Sequence, residues 1–335
     1  MLYRTLGRTW LRISAISFGA GPVSGWMAEL PAQQQRAVIK RALEVGINWF
    51  DTAAGYGDGQ SEDSLGEALG ILGIPSEVHL ATKVRYLPEH LNDIRGRTRG
   101  SFASSLERLR VKQVTLLQLH NSITAERGDE PTSITPKDVL GPGGVLEAFE
   151  ELRSEGLVRF LGLTGIGQPA ALREVVRSRA FDTMQVPYNL LNPSAGHPMP
   201  KTFPEANYGN IIEECAWQGM GVLAIRVFAA GALLGAPPSA HTLKTPFFPL
   251  ALYQRDEQRA ARLKALLGPA CDLKSEAIQF VLGHPHVSST LIGFREPQQV
   301  YEAVDFLSDR PYPAACLRTV LSAAGELMPL PEGHT

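Results

Sequence analysis

Four residues of complementary chemistry stand at or beside the ends of short apolar runs. Asp51 directly follows Asn48-Trp49-Phe50, Lys83 follows Leu80-Ala81-Thr82, and His120 closes Leu116-Leu117-Gln118-Leu119. Tyr56 lies five residues after Asp51, within Gly55-Tyr56-Gly57. Singly, such a residue at a strand end is more often a cap or a satisfied polar group. As a set, the four could deliver a proton to an oxyanion. A phenol is a poor proton donor near neutral pH, because its ordinary pKa is about 10. A neighbouring ammonium favours the phenolate and eases the transfer. Asp51 would keep Lys83 charged and oriented, while His120 could hydrogen-bond a substrate oxygen and polarise its carbonyl. The chemistry this suits is reduction of a carbonyl to an alcohol, or the reverse.

These side chains can meet only if their strands are parallel neighbours whose C-terminal ends share one face. The chain supplies such strands throughout. Ile13–Phe18, Asn48–Phe50, His79–Val84, Val114–Leu119, Phe160–Leu163, Thr183–Val186, Gly221–Ile225 and Ser288–Ile292 are short and apolar, with little alternation, as in a buried parallel sheet. Between them run amphipathic segments. Pro31–Val45 closes at Gly46, and Ser61–Leu69 opens on a Ser cap with Glu62 and Asp63 in its first turn. Ser101–Leu109, Val145–Glu155, Pro169–Arg177, Tyr208–Trp217, Gln254–Leu267 and Pro297–Leu307 complete the helices. Eight strands alternating with helices predict an α/β fold, a (β/α)8 TIM barrel, over a single domain spanning residues 1–335; an open doubly wound sheet is the alternative. Met1–Arg12, with its Leu6-Gly7-Arg8-Thr9 turn, reads as an N-terminal hairpin able to plug the bottom of the barrel. Asn121–Gly144 and Ala229–Phe248 read as extended loops on the active face. These loops, Trp26 and the tail from Arg310 should shape the substrate site beside Tyr56 and His120.

The bulk composition narrows the class. A net charge of −2 gives no basic field for nucleic acid or an anionic membrane. Cys215, Cys271 and Cys316 are far apart and odd in number, so they suggest neither a disulfide framework nor a zinc site, and favour a reducing, cytoplasmic setting. The first residues lack an apolar signal core, and no apolar run nears the roughly 20 residues that span a bilayer. Gly19-Ala20-Gly21 is followed by Pro22 and a misplaced Gly25, which argues against a Rossmann fingerprint. His284 and His286 lack further ligands for a metal, and none is expected.

Asn48-Trp49-Phe50-Asp51-Thr52-Ala53-Ala54-Gly55-Tyr56-Gly57 closely resembles the signature of the aldo-keto reductase superfamily, as do Thr82-Lys83 and Leu117-Gln118-Leu119-His120. The resemblance runs in order from Tyr3-Arg4-Thr5-Leu6-Gly7 to Gly293-Phe294-Arg295 and the helix that follows. It implies a (β/α)8 barrel, a catalytic tetrad of Asp51, Tyr56, Lys83 and His120, and a nicotinamide cofactor bound without a Rossmann domain. Implied cofactor contacts are Gly19, Asp51, Thr164, Gln185, Ile225, Arg226, Phe228, Gly293, Arg295, Gln299 and Glu302. Thr164-Gly165 stands where the family often has Ser-Asn, and Ile225-Arg226 stands where it often has a nicotinamide-stacking Tyr. Arg295 suits a 2′-phosphate, because a guanidinium grips phosphate oxygens in a forked geometry; this favours NADPH over NADH. The expected partner is a small carbonyl or alcohol. The resemblance also admits a cofactor-binding regulatory or sensor role, such as that of potassium-channel subunits, or an aldose dehydrogenase working oxidatively. The pattern does not read out the oligomeric state.

Overall fold

A computed structural model describes residues 1–308 and 310–325. Parallel strands β1 (Ile16–Gly19), β2 (Trp49–Asp51), β3 (His79–Val84), β4 (Val114–Leu119), β5 (Val158–Thr164), β6 (Thr183–Pro187), β7 (Gly221–Ile225) and β8 (Val287–Ile292) close into a barrel in sequence order, with β8 paired to β1. The open-sheet alternative is thereby excluded. Helices separate successive strands, and Pro169–Arg177 has the predicted bounds.

The strands do alternate, contrary to the sequence reading, because the two faces differ in a way that apolar residues conceal. Trp49, Ala81, Leu116 and Leu223 form a small cluster inside the barrel with Leu6, Leu11 and Ile13. Their neighbours Phe50, Leu80, Leu117 and Val222 pack outward against the helices. Two residues further along the same inward face, the side chains turn polar: Trp49 gives way to Asp51, Ala81 to Lys83, and Leu116 to Gln118. Strand periodicity thus builds an apolar floor under a polar upper layer.

The predicted hairpin closes the bottom. Tyr3–Thr5 pairs antiparallel with Arg12–Ser14. Its turn lies so close to β7 that a Cβ on Gly7 would fall 2.2 Å from the Gly221 nitrogen. Arg8 fastens it by donating to the carbonyls of Arg179 and Phe181, each at 2.7 Å. The expected single strand Ile13–Phe18 is therefore two, broken at the fully buried Ala15. No Gly or Pro marks that bend in the sequence.

Other boundaries moved for local reasons. Ser61 does not cap its helix, which spans Gln60–Leu72 with Gly59 at the N-cap position in a left-handed conformation (φ 95°). Ser61 Oγ instead donates to Ala20 O (2.7 Å) and contacts Thr52 Oγ1, tying the first two strand ends together. The helix expected at Ser101 starts at Ile94, where the Asp93 carboxylate accepts the Gly96 N–H. Helices Pro136–Leu140, Leu273–Gly283 and Ala314–Gly325 were not foreseen. The tail from Arg310 forms the last of these, and its final residues, 326–335, lie outside the described residues. No described helix is long and apolar enough to cross a membrane.

Candidate active site

A cavity of about 1130 Å³ opens at the C-terminal ends of the strands. It exceeds the roughly 300–1,000 Å³ of ordinary small-molecule pockets. Its floor is a connected polar network. Lys83, 1% exposed, forms an ion pair with Asp51 and donates to the Thr52 carbonyl at 2.9 Å. Its Nζ is also 3.4 Å from Tyr56 Oη. The second Asp51 oxygen accepts from Gln118 Nε2 (2.9 Å) and Gln185 Nε2 (2.6 Å). Asp51 is therefore saturated, and its orientation is fixed from three strands.

The electrostatics follow from that network. Burial lowers the Lys83 pKa, but the attraction of Asp51 and Tyr56 and their hydrogen bonds outweigh it, leaving the value raised. Lys83 is a permanent cation at the foot of Tyr56. The His120 ring sits edge-on to the Tyr56 ring at 5.4 Å. Burial, then the charges of Arg85 and Lys83, hold its pKa well below the usual histidine value, so the imidazole is neutral. His120 Nδ1, Ser122 Oγ and Thr164 Oγ1 are buried without hydrogen-bond partners. All three residues line the cavity. Unpaired buried polar atoms are costly, so each marks a place where a ligand atom would be stabilised.

Most of the predicted residues surround this one space. Gly19, Asp51, Tyr56, His120, Thr164, Gln185, Ile225, Arg226, Phe228, Gly293, Arg295 and Gln299 line it. Lys83 lies just beneath. Two do not join them. Trp26, expected against the substrate, is fully buried and packs edge-on to Phe18 at 5.5 Å, inside the core. Glu302, expected against the cofactor, is ion-paired with Lys274 on a neighbouring helix. Arg295 lines the cavity but is itself engaged: its Nη1 reaches Glu29 Oε2 at 2.5 Å and Ser24 O at 3.0 Å. The substitution at Gly165 also has a structural cause. A Cβ there would lie 2.7 Å from Met184 Cε and 2.9 Å from Gln185 O, so the backbone passes too near β6 for an asparagine.

The two long loops behave differently from one another. Within Asn121–Gly144, only Asn121's neighbour Ser122 lines the cavity; the rest folds back on itself. From the other loop, residues 236–242 and 244–248 form a wall of the cavity. Phe247 lies under the Arg85 guanidinium (4.7 Å) and Phe248 under that of Arg226 (3.7 Å). β3 and β7, from which these arginines extend, are on opposite sides of the barrel. The loop therefore bridges the mouth. Gln118, Arg85, Ser122 and His241 escaped the sequence reading. A signal existed for the first two, since Gln118 precedes His120 by two residues and Arg85 follows Lys83 by two, on the same alternating face.

The family model described as Aldo/keto reductase family matches residues 15–320. The chain is 29% identical to L-galactose dehydrogenase of Arabidopsis thaliana over 310 residues, covering 90% of this chain and 86% of that protein. It is 28% identical to D-threo-aldose 1-dehydrogenase of a Pseudomonas species, covering 88% and 90%. An aldo-keto reductase from Bacillus halodurans in its holo form superposes with a TM-score of 0.72, at 22% identity and 98% coverage of both chains. With a barrel, a polar floor and a matching family model over most of its length, the chain belongs to the aldo/keto reductase family.

Proposed function

We propose that this chain is an NADPH-dependent oxidoreductase that interconverts a carbonyl and an alcohol, with Tyr56 as the proton donor in the reducing direction. The observation that carries this reading is Tyr56 Oη at the cavity floor, 3.4 Å from the ammonium of Lys83 and beside neutral His120. When bound, a reduced nicotinamide supplies a hydride to the carbonyl carbon. The chain does the rest. His120 donates a hydrogen bond to the carbonyl oxygen, Tyr56 passes it a proton, and Lys83 stabilises the charge left on the phenol oxygen. Asp51 positions Lys83.

The residues present fit such a cofactor. The unpartnered Thr164 hydroxyl can meet the carboxamide, and Ile225 offers an apolar face to the ring. Arg295 supplies a guanidinium for the 2′-phosphate once Glu29 yields it. Gln299 Oε1, which accepts the Arg295 backbone N–H at 2.8 Å, steadies that residue. The free thiols Cys215, Cys271 and Cys316 are compatible with a cytoplasmic enzyme.

Steady-state NADPH oxidation with a panel of aldehydes and ketones, beside Tyr56→Phe, tests the proposal; turnover that survives the substitution would overturn it. A second reading is aldose oxidation at the same site, favoured by the two dehydrogenases among the relatives. NADP and NAD reduction with L-galactose and other aldoses separates the two directions.

A further inference from the structure

Arg85 is an oddly provided cation. It follows Lys83 by two residues on the inward face of β3, so it points into the mouth of the barrel, where it lines the cavity. A guanidinium offers five N–H donors. Among the described residues no carboxylate pairs with Arg85, and its Nε is buried without an acceptor. Its neighbour is a ring, Phe247, which stacks on the guanidinium but satisfies none of its donors.

The cavity lining supplies no uncommitted counter-charge. The carboxylates that line the cavity are Glu29 and Asp51, which are committed to Arg295 and Lys83. Facing Arg85 from the opposite wall is Arg226, likewise without an ion pair among the described residues, and Lys244 also lines the space. His241 also lines the space, where burial, then the charges of Arg85 and Arg226, lower its pKa. The charged side chains that line this half of the cavity, Arg85, Arg226 and Lys244, are all cations. A half-buried cation left in this state lacks the pairing that normally offsets its lost hydration.

We infer that Arg85 is a specificity-determining residue that receives an anionic oxygen group of the substrate, a carboxylate or a phosphate, while Tyr56 and His120 hold the reacting carbonyl. The inference rests on the oxidoreductase reading above. Its location separates it from the cofactor's own phosphates. Arg85 extends from the end of β3, next to the strands that carry Tyr56 and His120, whereas Arg295 and Gln299, suited to the cofactor's 2′-phosphate, follow β8. Phe247 would stay stacked on the guanidinium face, leaving its edge free for a forked contact.

The test compares aldehydes of similar shape and different charge. For wild type, Arg85→Lys and Arg85→Met, kcat/KM is measured with 4-carboxybenzaldehyde, 4-formylphenyl phosphate and neutral 4-nitrobenzaldehyde. The wild type should prefer one of the anionic aldehydes, and the better of the two identifies the group. In Arg85→Met the ratio of anionic to neutral kcat/KM should fall at least about 10-fold, mainly through KM, with Arg85→Lys in between. An unchanged ratio, or a wild-type preference for the neutral aldehyde or for aldoses, would overturn the inference. Binding is read separately by calorimetric titration of wild type and Arg85→Met with benzoate, phenyl phosphate and benzamide. If neither these aldehydes nor the carbonyl and aldose panels turn over, yet an anion binds in an Arg85-dependent way, the oxidoreductase reading fails and the anion site stands. Anion affinity that is indifferent to Arg85 would remove the site itself.

Discussion

The two walls of the cavity are built on different principles. The wall formed by β2, β3 and β4 is rigid and paired, with Gln185 of β6 bracing it from across the barrel. Asp51 binds Lys83, Gln118 and Gln185, and each of these residues is buried on a strand. The opposite wall, after β7 and β8, is made of loops. Arg226, Ala229 and Ala230 all adopt positive φ there, a strained run for residues other than glycine. Its charged groups face rings, or make an exposed pair such as Arg295 with Glu29. The two walls divide the labour. Reacting groups must be held to within a fraction of an ångström and need strands beneath them, whereas a wall that admits and releases a large ligand is better built from loops.

The largest effect should come from the rigid wall. Tyr56→Phe removes the proposed proton donor and keeps the ring. We expect kcat to fall about 10²–10⁴-fold, the usual worth of general acid catalysis, with little change in cofactor affinity measured by fluorescence titration. A fall of less than about 10-fold would move the proton donor elsewhere and leave the rigidity of this wall without a catalytic reason.

Next come the members of the buried pair. Lys83→Met strands the Asp51 carboxylate, and Asp51→Asn strands the Lys83 cation. Breaking such a pair from one side typically costs about 3–5 kcal/mol, so each single variant should lower the urea midpoint clearly. In the double variant no charge is left unpartnered. Both its stability and its kcat/KM should lose less than the sum of the single losses. Additive losses would show that Asp51 and Lys83 act separately.

The same wall excludes a proton. His120 is held below its ordinary pKa by burial and by the cations Arg85 and Lys83. In the unfolded chain it would protonate near pH 6.5. On acidification below that value the unfolded state takes up a proton that the folded state refuses, so stability falls as pH drops, by at most about 1.4 kcal/mol per pH unit for each such group. His284, whose pKa burial lowers to about 4, works in the same direction. His120→Asn should therefore give a shallower loss of the urea midpoint between pH 6.5 and 5 than wild type. A steeper loss would mean that His120 is a cation in the fold.

How far each wall could be read in the sequence follows the same division. Asp51, Lys83 and His120 were legible because complementary polar residues end three successive apolar strands, a coincidence that single caps do not explain, and strand order then brings them together. Gln118 went unseen because it sits inside an apolar run, where only the period of two, masked by Leu116 and Leu117, would have singled it out. Trp26 was misplaced because a large aromatic after the first strand fits a pocket wall and a core equally well, and a short helix turned it inward. The loops after β4 and β7 have similar composition but different outcomes. Asn121 binds the carbonyls of Tyr86 and Thr132, and Asp138 binds Arg127 and Thr135, so the first loop closes on itself. The second is tied by short-range turns, such as Thr242 N–H donating to Ser239 Oγ, and stacks Phe247 and Phe248 on Arg85 and Arg226 across the mouth. Those long-range partners leave no local trace in the chain.

The loop-built wall should respond more mildly, and on binding rather than chemistry. Arg295→Ala should weaken NADPH far more than NADH, by about 10- to 150-fold, since charge-assisted hydrogen bonds contribute roughly 1.5–3 kcal/mol. Equal effects on both cofactors would place Arg295 away from the 2′ position.

The smallest effect, and the sharpest test of this wall, concerns Glu29. Its carboxylate now occupies Arg295, and both side chains are more than 40% exposed. An exposed pair of this kind is usually worth about 1 kcal/mol or less, so a phosphate can displace it at little cost. A carboxylate left beside a bound 2′-phosphate would also repel it. Both contributions have the same sign. Glu29→Gln should therefore tighten NADPH by a few-fold, leave NADH nearly unaltered, and make the NADPH advantage more sensitive to salt, because the uncompensated attraction of Arg295 is then screened. The measurement is cofactor Kd by fluorescence titration at low and moderate ionic strength. Equal tightening of both cofactors would show that Glu29 guards the cavity entrance rather than the 2′-phosphate position. Weaker NADPH binding would mean that the pair orients Arg295 for the phosphate, making this stretch of the loop-built wall as organised as the one opposite.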